Sequence, residues 1–477
     1  MHRSINVFLL LAGFSIALSD ARAQGAQHPG SSIYTANCAT CHGDDLKGGN
    51  GSNLIDGDWE FGDEREDLIR NIAEGIPERG MPAFGGVLSD QQIEQVVDYI
   101  DHVASGADPF ISPAPDSVET LDYAFDVEVV ARGLEIPWAI AFIDENAALI
   151  TERPGRLRLL QNGELQDEPV AGTPDVLHEG QGGLLDVSVD PDHASNGWIY
   201  LSYSHVLPQG PDDERPRAMT RIVRGRIEGN NWVDQEVLFE APHDTYLPTR
   251  QHFGSRIVFD PDGHLYFSIG DRGMMDLAQD LSRPNGKIHR IHTDGSIPTD
   301  NPFFDRDDAL PSIFSYGHRN PQGVAVHPET GDVWAVEHGP RGGDELNRVH
   351  RGRNYGWPVI SYGINYNGTV LTEERSRPDM EQPIRYWRPS IAVSGLGFYD
   401  QSALPYWTNK MLVGALRDEE VRLVQLEEGR VIHEEVILKD AGRVREAQPG
   451  PDGSIYVVLN EPDMVVRLVP RLLGMEN

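Results

Sequence analysis

Two polar loops near the middle of the chain carry the residue types that most suggest chemistry. Residues 317–323 read GHRNPQG and residues 337–345 read EHGPRGGDE, and a short apolar run at 333–336 lies between them. Glycine and proline impose unusual backbone geometry. Both loops combine these residues with arginine, histidine, asparagine or carboxylate side chains. A single loop of this kind would be interpreted as a hydrophilic surface turn, whereas two in succession predict a site that holds a polar ligand.

A second chemical pattern lies near the N terminus, where Cys38, Cys41 and His42 form a Cys-x-x-Cys-His sequence. This is the attachment pattern of c-type haem, in which the thiols bind the vinyl groups and the histidine ligates the iron. Chance, a redox dithiol and half of a zinc site are the alternatives. Zinc would need more cysteines than the two in the chain, and a redox dithiol does not require the histidine. Met81, in the sequence RGMPAF, is available as a sixth ligand that would raise the haem potential.

The elements that must position this motif are those of a small helical domain at residues 27–105. The sequence predicts a helix at 33–37 leading into the haem motif, a second at 63–75 and a third from Ser89 onward, with Gln92 completing a capping box. Apolar residues then recur at helical spacing: Ile93, Val96, Val97 and Ile100. The segment resembles the small class I cytochromes c, which implies one covalent haem and one-electron transfer.

The first 23 residues are interpreted as a secretory signal peptide. His2 and Arg3 precede an apolar run at 7–18, and residues 21–23 read ARA, which predicts a mature chain that starts at Gln24. An uncleaved membrane anchor is the alternative, but the run is short for a bilayer. We therefore expect a periplasmic protein with no membrane span in the mature chain.

The charge balance excludes some classes of partner. The formal net charge of −35 disfavours nucleic acid and anionic membrane surfaces. In so acidic a chain, a cluster of arginines becomes more informative. With two cysteines in the whole sequence, no disulfide framework is expected.

The remainder of the chain has a different organisation. Residues 106–121 are rich in proline, aspartate and serine and are interpreted as a linker. Beyond it, at 122–472, six short apolar runs follow turn signals, at 148–151, 198–202, 264–268, 333–336, 410–413 and 454–458. Runs about 45 to 80 residues apart are typical of a propeller. A pair of β-sandwiches is the alternative. We predict a multidomain protein in which a small all-α domain precedes an all-β six-bladed β-propeller.

Four further polar segments accompany the two central loops. Residues 179–186, 251–256, 270–273 and 442–446 read EGQGGLLD, QHFGSR, GDRG and GRVRE. Together with 133–138 and 354–358, they make nearly all of residues 125–470 resemble the soluble PQQ-dependent glucose and aldose sugar dehydrogenases. That family folds as a six-bladed propeller and oxidises the C1 hydroxyl of an aldose to a lactone, with pyrroloquinoline quinone (PQQ) and calcium as cofactors.

The resemblance implies a set of cofactor contacts. PQQ carries three carboxylates, which suit arginine forks. The matching positions are Gln181, Arg319, Asn320, Tyr366, Arg417, Arg443 and Arg445. Arg417 stands where the glucose enzyme has lysine, and Gln181 would bind sugar or cofactor near the reacting centre.

Calcium ligands are implied in the same way, because calcium prefers oxygen ligands that include backbone carbonyls. The resemblance places the carbonyls of Gly339 and Pro340 on the PQQ-bound ion. Glu345 and the carbonyl of Tyr355 resemble ligands of a second, structural ion.

His252 is implied as the general base, since a neutral imidazole can accept the proton of the sugar hydroxyl. Gln251 precedes it where the glucose enzyme has aspartate, and His338 stands where that enzyme has glutamine. These departures resemble the aldose sugar dehydrogenase branch.

The resulting hypothesis is a periplasmic enzyme that oxidises an aldose and passes electrons from reduced PQQ to its fused haem, and onward to another cytochrome or the respiratory chain. Two rivals remain: a calcium-dependent propeller lactonase or other hydrolase, and a non-catalytic ligand-binding propeller with an electron-carrier cytochrome. A hydrolase would need no arginine cluster for a tricarboxylate and would gain nothing from a haem.

Overall fold

The computed structural model describes residues 30–43, 46–48, 51–55, 59, 61–62, 65–104, 114–208 and 215–471. The predicted signal peptide lies outside these residues. The chain divides into two compact units, Met1–Ile111 and Ser112–Asn477. Within the described residues, no helix has the length and apolar character needed to span a membrane.

The described part of the first unit is helical. Its helices are α1 (Ser31–Asn37), α2 (Ala39–His42), α3 (Arg65–Glu74) and α4 (Asp90–Ala104), with a 3-10 turn at Pro77–Arg79. The three predicted helices correspond to α1, α3 and α4. The predicted capping box forms at the start of α4: the Ser89 amide donates to Gln92 Oε1 at 3.0 Å and the Gln92 amide donates to Ser89 Oγ at 3.3 Å.

The core of this unit is the contact between α1 and α4. Gly30 lies so close to α4 that a Cβ there would clash with the Gln95 carbonyl. One turn further on, the rings of Tyr34 and Tyr99 lie 5.6 Å apart. The apolar positions predicted to share one face of α4 are all buried. Leu68 and Ile72 of α3 pack into the same hydrophobic core.

The second unit is a six-bladed β-propeller, as predicted, and not a pair of sandwiches. It begins with β1 (Ser117–Glu119) and β2 (Ala124–Ala131). Blade 1 then contains β3 (Pro137–Asp144), β4 (Ala147–Glu152), β5 (Arg156–Gln161) and β6 (Glu164–Leu165). Blade 2 contains β7 (Leu184–Val189), β8 (Ile199–Val206), β9 (Ala218–Glu228) and β10 (Asn231–Phe239).

The next blades repeat this order of four antiparallel strands. Blade 3 contains β11 (Ile257–Phe259), β12 (His264–Ile269), β13 (Lys287–His292) and β14 (Ile313–Tyr316). Blade 4 contains β15 (Pro321–Val326), β16 (Val333–Glu337), β17 (Asp344–Val349) and β18 (Arg385–Trp387). Blade 5 contains β19 (Val393–Phe398), β20 (Met411–Ala415), β21 (Glu420–Glu427) and β22 (Arg430–Lys439). Short helical turns lie at α5 (His193–Asn196), His243–Thr245, Met275–Ala278 and Pro405–Trp407.

Blade 6 joins the two ends of the propeller. It contains β23 (Arg443–Pro449), β24 (Ile455–Asn460) and β25 (Met464–Pro470), and the sheet order is β1-β2-β25-β24-β23. Strand β2 pairs antiparallel with β25, from Phe125 opposite Pro470 to Ala131 opposite Val465. Pairing of the first and last strands leaves no open edge between the ends of the ring.

The predicted linker at 106–121 extends too far. Strand β1 lies inside it and pairs with β2, with Val118 opposite Phe125. Ala114 and Val118 also pack against the core between blades 5 and 6. The polar composition of this segment reflects an outermost strand with one solvated face.

The first strands of neighbouring blades contact one another around the ring, so they surround its axis. The strands of each blade are antiparallel, and therefore the start of a first strand and the end of the second strand lie at the same end of the blade. Polar segments at those two positions in different blades converge at one end of the axis. Among the predicted propeller site residues, those at 181, 252, 319–320, 339–340, 417 and 443–445 occupy such positions, whereas Glu345 lies in β17 and Tyr355 and Tyr366 lie between β17 and β18.

Candidate functional site

His252 and Asp271 form a hydrogen-bonded pair at this end of the propeller. His252 precedes the first strand of blade 3 and Asp271 follows the second strand. Their Nδ1 and Oδ1 atoms lie 2.6 Å apart. When Nδ1–H donates to the carboxylate, the lone pair of the neutral ring is at Nε2. The pair therefore has the geometry of a general base with an orienting carboxylate.

Asp271 is itself held by its surroundings. It is fully buried and accepts hydrogen bonds from the Gly273 amide at 2.7 Å and from the Trp357 indole at 2.8 Å. Burial alone would raise the pKa of Asp271, but the hydrogen bond and charge of His252, with the other donors, outweigh it and lower that pKa. Asp271 is therefore a carboxylate at neutral pH.

For the imidazole of His252, in contrast, the effect of burial on the pKa outweighs that of the neighbouring carboxylate. Burial lowers its pKa below the ordinary value of 6.5, and the charges of Arg319 and Arg272 act in the same direction against the raising effect of Asp271. The ring is neutral at physiological pH, which a base requires.

The backbone at His252 is fixed from two sides. Its φ of +56° is unusual for a residue with a side chain. On one side, its amide donates to Gln181 Oε1 at 2.7 Å. On the other, the buried Arg272 lies over the Phe253 ring and donates to the carbonyl of Gln251 at 2.8 Å. These contacts keep the imidazole in one position.

Arg319 lies beside this pair. Its Nη1 donates to the His338 carbonyl at 3.2 Å, and its guanidinium lies 5.4 Å from the centre of the Trp357 ring. Its Nη2 lies 3.5 Å from the hydroxyl of Tyr366. Tyr366 is 71% exposed, so this tyrosine lies at the open side of the site.

A network of amides connects Asn320 to Arg445 across the ring. Gln322 accepts from Arg445 Nη1 at 3.2 Å and its Nε2 lies 3.4 Å from Asn320 Oδ1. The Nε of Arg445 is buried with no hydrogen-bond partner. Burial lowers the pKa of Arg445 well below its ordinary value, and the charges of Arg153 and Arg443 lower it further. A buried guanidinium without a carboxylate partner is suited to an anionic ligand.

Two predicted cofactor residues are not in contact with this group. The side chain of Arg417 is 59% exposed and its Nη1 donates to the Ser390 carbonyl at 2.6 Å. Arg443 is partly exposed, with its Nε 3.5 Å from Glu461. Within the described chain, neither forms a hydrogen bond to the other predicted cofactor residues.

The four predicted calcium ligands line one small cavity of about 10 Å³. A cavity of roughly 10 to 15 Å³ has room for a single water or ion. Burial, and then the neighbouring carboxylate of Glu337, raises the pKa of Glu345. In the described chain, the carbonyls of Gly339 and Pro340 accept no hydrogen bond. Two adjacent buried carboxylates and free carbonyl oxygens fit a hard cation such as calcium.

The first unit contains a larger cavity, of about 700 Å³. Cys38, Cys41, His42 and Met81 all line it, together with apolar side chains of α3 and α4. The Nδ1 of His42 lies 2.9 Å from the Ser52 carbonyl, which leaves Nε2 as the metal-binding nitrogen. These residues fit a covalent haem with His and Met ligands.

Residues that the sequence interpretation did not assign also belong to the propeller site. Asp271 orients His252, Gln322 joins Asn320 to Arg445, and the Trp357 indole holds Asp271. Asp271 lies in the GDRG segment, shortly after the largely buried strand β12, which is a local signal for a functional polar residue. Gln322 and Trp357 carry no comparable signal.

Comparisons with known families agree with this division into two units. A model of the glucose/sorbosone dehydrogenase family matches residues 134–467. A model described as cytochrome c oxidase, cbb3-type, subunit III matches residues 25–100.

Among individual proteins, the aldose sugar dehydrogenase YliI of Escherichia coli is 42% identical over 342 residues, which cover 70% of this chain and 90% of that protein. The crystal structure of the soluble aldose sugar dehydrogenase of Escherichia coli in its apo form has a TM-score of 0.68 at 40% identity and covers 72% of this chain and 99% of that one. The PQQ-bound aldose sugar dehydrogenase of Streptomyces coelicolor has a TM-score of 0.57 at 25% identity, over 75% of this chain and 99% of that chain.

Proposed function

Because this chain belongs to the glucose/sorbosone dehydrogenase family and carries a cytochrome c domain, we propose that it is a periplasmic dehydrogenase that oxidises aldoses at C1 to lactones. PQQ and calcium would be its cofactors, with a c-type haem as the internal electron acceptor. The observation that supports this most directly is that the His252–Asp271 pair lies at the same end of the propeller as Arg445, whose buried Nε has no hydrogen-bond partner. A base and an anion-binding cluster at one end of the propeller suit an anionic redox cofactor and a hydroxyl substrate.

His252 would accept the proton of the C1 hydroxyl at Nε2. Asp271 would keep Nδ1 protonated and stabilise the imidazolium that results, because its own pKa is low. PQQ, when bound, supplies a quinone that accepts the hydride of the C1–H bond, so that loss of one proton and one hydride leaves the lactone carbonyl. Gln181, which accepts from the His252 amide, would orient the sugar or cofactor beside the base.

Cofactor binding would depend on the buried members of the cluster. Arg319, Asn320 and Arg445 would bind the carboxylates and carbonyls of PQQ, with Tyr366 at the open side. Arg443 and Arg417 would contribute after exchanging their present partners, Glu461 and the Ser390 carbonyl, for the cofactor.

For the metals, we propose one calcium, with Glu345 and the carbonyls of Gly339, Pro340 and Tyr355 as its candidate ligands, in the cavity that these residues line, since it has room for a single ion. The ion would neutralise the paired charges of Glu345 and Glu337, which are unfavourable when buried together.

The first unit would carry haem bound to Cys38, Cys41, His42 and Met81. Because it is tethered to the propeller, its effective concentration is on the order of millimolar. We propose that this unit receives the electrons of sugar oxidation and passes them to another cytochrome or to the respiratory chain.

Sugar-dependent reduction of the haem tests this proposal. The full chain with covalent haem is supplied with PQQ and calcium, then with a panel of aldoses, while the absorbance of reduced haem is followed. Reduction that requires both PQQ and an aldose is the expected result. No reduction by any aldose despite bound PQQ would contradict the function, and lactone hydrolysis without an electron acceptor would identify a hydrolase instead.

A further inference from the structure

Arg153 contacts the loop that carries Gln181. It follows the second strand of blade 1, and its Nε donates to the Gly182 carbonyl at 3.3 Å. Its Nη2 donates to the same carbonyl at 3.1 Å and also to the carbonyl of Gly180. One guanidinium thus binds the carbonyl groups of the two residues that flank Gln181.

The backbone of Arg153 supports the same loop. Its carbonyl accepts from the Leu184 amide at 3.0 Å. Gly183, with φ of +149°, lies so close that a Cβ would clash with that carbonyl. Blade 1 therefore forms a wall against which residues 180–184 are packed.

The opposite side of the loop contacts the segment of the base. The Gln181 amide donates to the Arg250 carbonyl at 2.8 Å, and Gln181 Oε1 accepts from the His252 amide at 2.7 Å. If the side-chain contacts of Arg153 were lost, the carbonyls of Gly180 and Gly182 would lose their guanidinium donor, and the loop would keep this side and its bonds at Gly183 and Leu184. Gln181 and the backbone of His252 would then become less well fixed.

The charge of Arg153 is not matched by a carboxylate. Within the described chain it forms no ion pair, and its guanidinium contacts neutral carbonyl groups. Burial lowers its pKa, and it in turn lowers the pKa of Arg445. Two partly buried guanidiniums whose charges repel each other would be stabilised by an anion between or beside them.

We propose that Arg153 is a further residue of the propeller site, with two roles. It positions Gln181 against His252, and it adds a guanidinium to Arg445 where the carboxylates of the cofactor bind. The second role rests on the proposed function, whereas the first does not.

Two substitutions separate these roles. Arg153→Lys keeps the charge but cannot bind two carbonyls through a planar fork, and Arg153→Gln removes both. Arg306→Gln is the matched control, because Arg306 is exposed and pairs with Asp308 away from the site. Hydrogen exchange of residues 179–184 in the PQQ-free protein reports the positioning role, and the Kd for PQQ reports the binding role.

We expect both Arg153 variants to increase exchange in this loop by about tenfold or more, as local opening becomes easier. The Kd for PQQ should rise by about tenfold in Arg153→Gln and by less than about threefold in Arg153→Lys, because a charge-assisted contact is worth roughly 1.5 kcal/mol. In the reconstituted enzyme, Arg153→Lys should also raise the KM for the aldose.

Unchanged loop exchange in both variants would overturn the positioning role. An unchanged Kd for PQQ in Arg153→Gln would overturn the binding role. If PQQ failed to bind the unsubstituted protein, the proposed function and the binding role would both be wrong, and the exchange measurement would still decide the positioning role.

Discussion

At the scale of single residues, the proposed chemistry of the propeller depends on how His252 is held. Its imidazole is oriented by Asp271 and its backbone by Gln181 and by the segment that Arg272 supports. Asp271 and Arg272 are neighbours in one loop, and Gln181 belongs to another. A side chain fixed in this way loses little entropy when it accepts a proton, which is the physical basis of preorganisation.

The first prediction concerns the base. His252→Ala should lower turnover by about two to four orders of magnitude, the usual contribution of general base catalysis. The Kd for PQQ should stay within about twofold, since the imidazole provides none of the proposed carboxylate contacts. His243→Ala is the control, because His243 is exposed in the preceding turn. Turnover that is equal in the two variants would remove His252 from the mechanism.

A second prediction concerns pH. Because the pKa of His252 is lowered below 6.5, kcat/KM should rise with pH through that pKa and be flat above pH 6.5. Asp271→Asn removes a charge that raises the imidazole pKa, so the inflection should move to lower pH while the plateau falls. The pH profiles of both forms measure this. An inflection above pH 6.5 in the unsubstituted enzyme would contradict the assigned electrostatics.

The third prediction concerns the metal cavity. Calcium at about 100 times its Kd should raise the free energy of unfolding by about 2.7 kcal/mol. Glu345→Gln should abolish this increase, because it removes the proposed carboxylate ligand. Glu374→Gln, at an exposed ion pair with Arg377, should retain it. Thermal unfolding with and without calcium gives the comparison, and an undiminished increase in Glu345→Gln would exclude this ligand.

At the scale of elements, the six apolar runs predicted from the sequence are the second strands of the six blades: β4, β8, β12, β16, β20 and β24. A second strand has neighbours on both edges and a packed sheet on both faces. Its sequence is therefore almost continuously apolar, and three of these strands are buried throughout. Outer strands such as β22 alternate with exposed residues, which makes them harder to recognise.

The turns before several of these strands share one hydrogen-bonded arrangement. An aspartate accepts the amide two residues later and the hydroxyl of a tyrosine in the second strand. The pairs are Asp190 with Tyr200, Asp260 with Tyr266, and Asp452 with Tyr456. The arrangement fixes the turn and satisfies a tyrosine hydroxyl that the sheet would otherwise bury unpaired.

The fourth prediction tests this turn. Asp190→Ala should lower the free energy of unfolding by about 1 to 3 kcal/mol, because it removes the 2.7 Å acceptor of the Tyr200 hydroxyl and leaves only the Thr293 carbonyl at 3.3 Å. Asp192→Ala, two residues further along in the same turn, is the control, since Asp192 is exposed. Denaturant unfolding of both variants provides the measurement. Equal stability would mean that the turn depends on its backbone alone.

At the scale of the whole molecule, the propeller is closed by strands from its two ends. Phe125 of β2 is fully buried and its ring lies 5.3 Å from that of Trp407 in blade 5. Strand β2 thus belongs to the core as well as to the ring closure. The segment from Ala114 onward is therefore part of the propeller and not a free tether.

The fifth prediction follows from this closure. A chain that starts at residue 112 should give a cooperative unfolding transition, because it retains β1 and β2. A chain that starts at residue 132 lacks both strands, exposes the edge of β25 and should unfold without a cooperative transition. Calorimetry of the two chains is the test. Equal transitions would show that blade 6 is stable with three strands.

Much of the site could be predicted from the sequence because its segments are contiguous. The haem motif is five adjacent residues, and the polar segments carrying His252, Arg319 and Arg445 are each short and dense in glycine. A contiguous motif can be recognised from the sequence without knowledge of where the fold places it. The number of blades could also be predicted, because the second strand of each blade is largely buried and its sequence is therefore mostly apolar.

The partners of those residues were decided only by the tertiary structure. Asp271 orients His252 from another loop, Gln322 connects Asn320 with Arg445, and Arg153 reaches the Gln181 loop from blade 1. The exposure of Arg417 likewise could not be predicted from the residue pattern. Such contacts depend on which loops meet when six sheets close into a ring. The local sequence thus determined which chemical groups are present. The closed ring determined which of these groups interact, because hydrogen bonds and charge interactions depend on distance and direction.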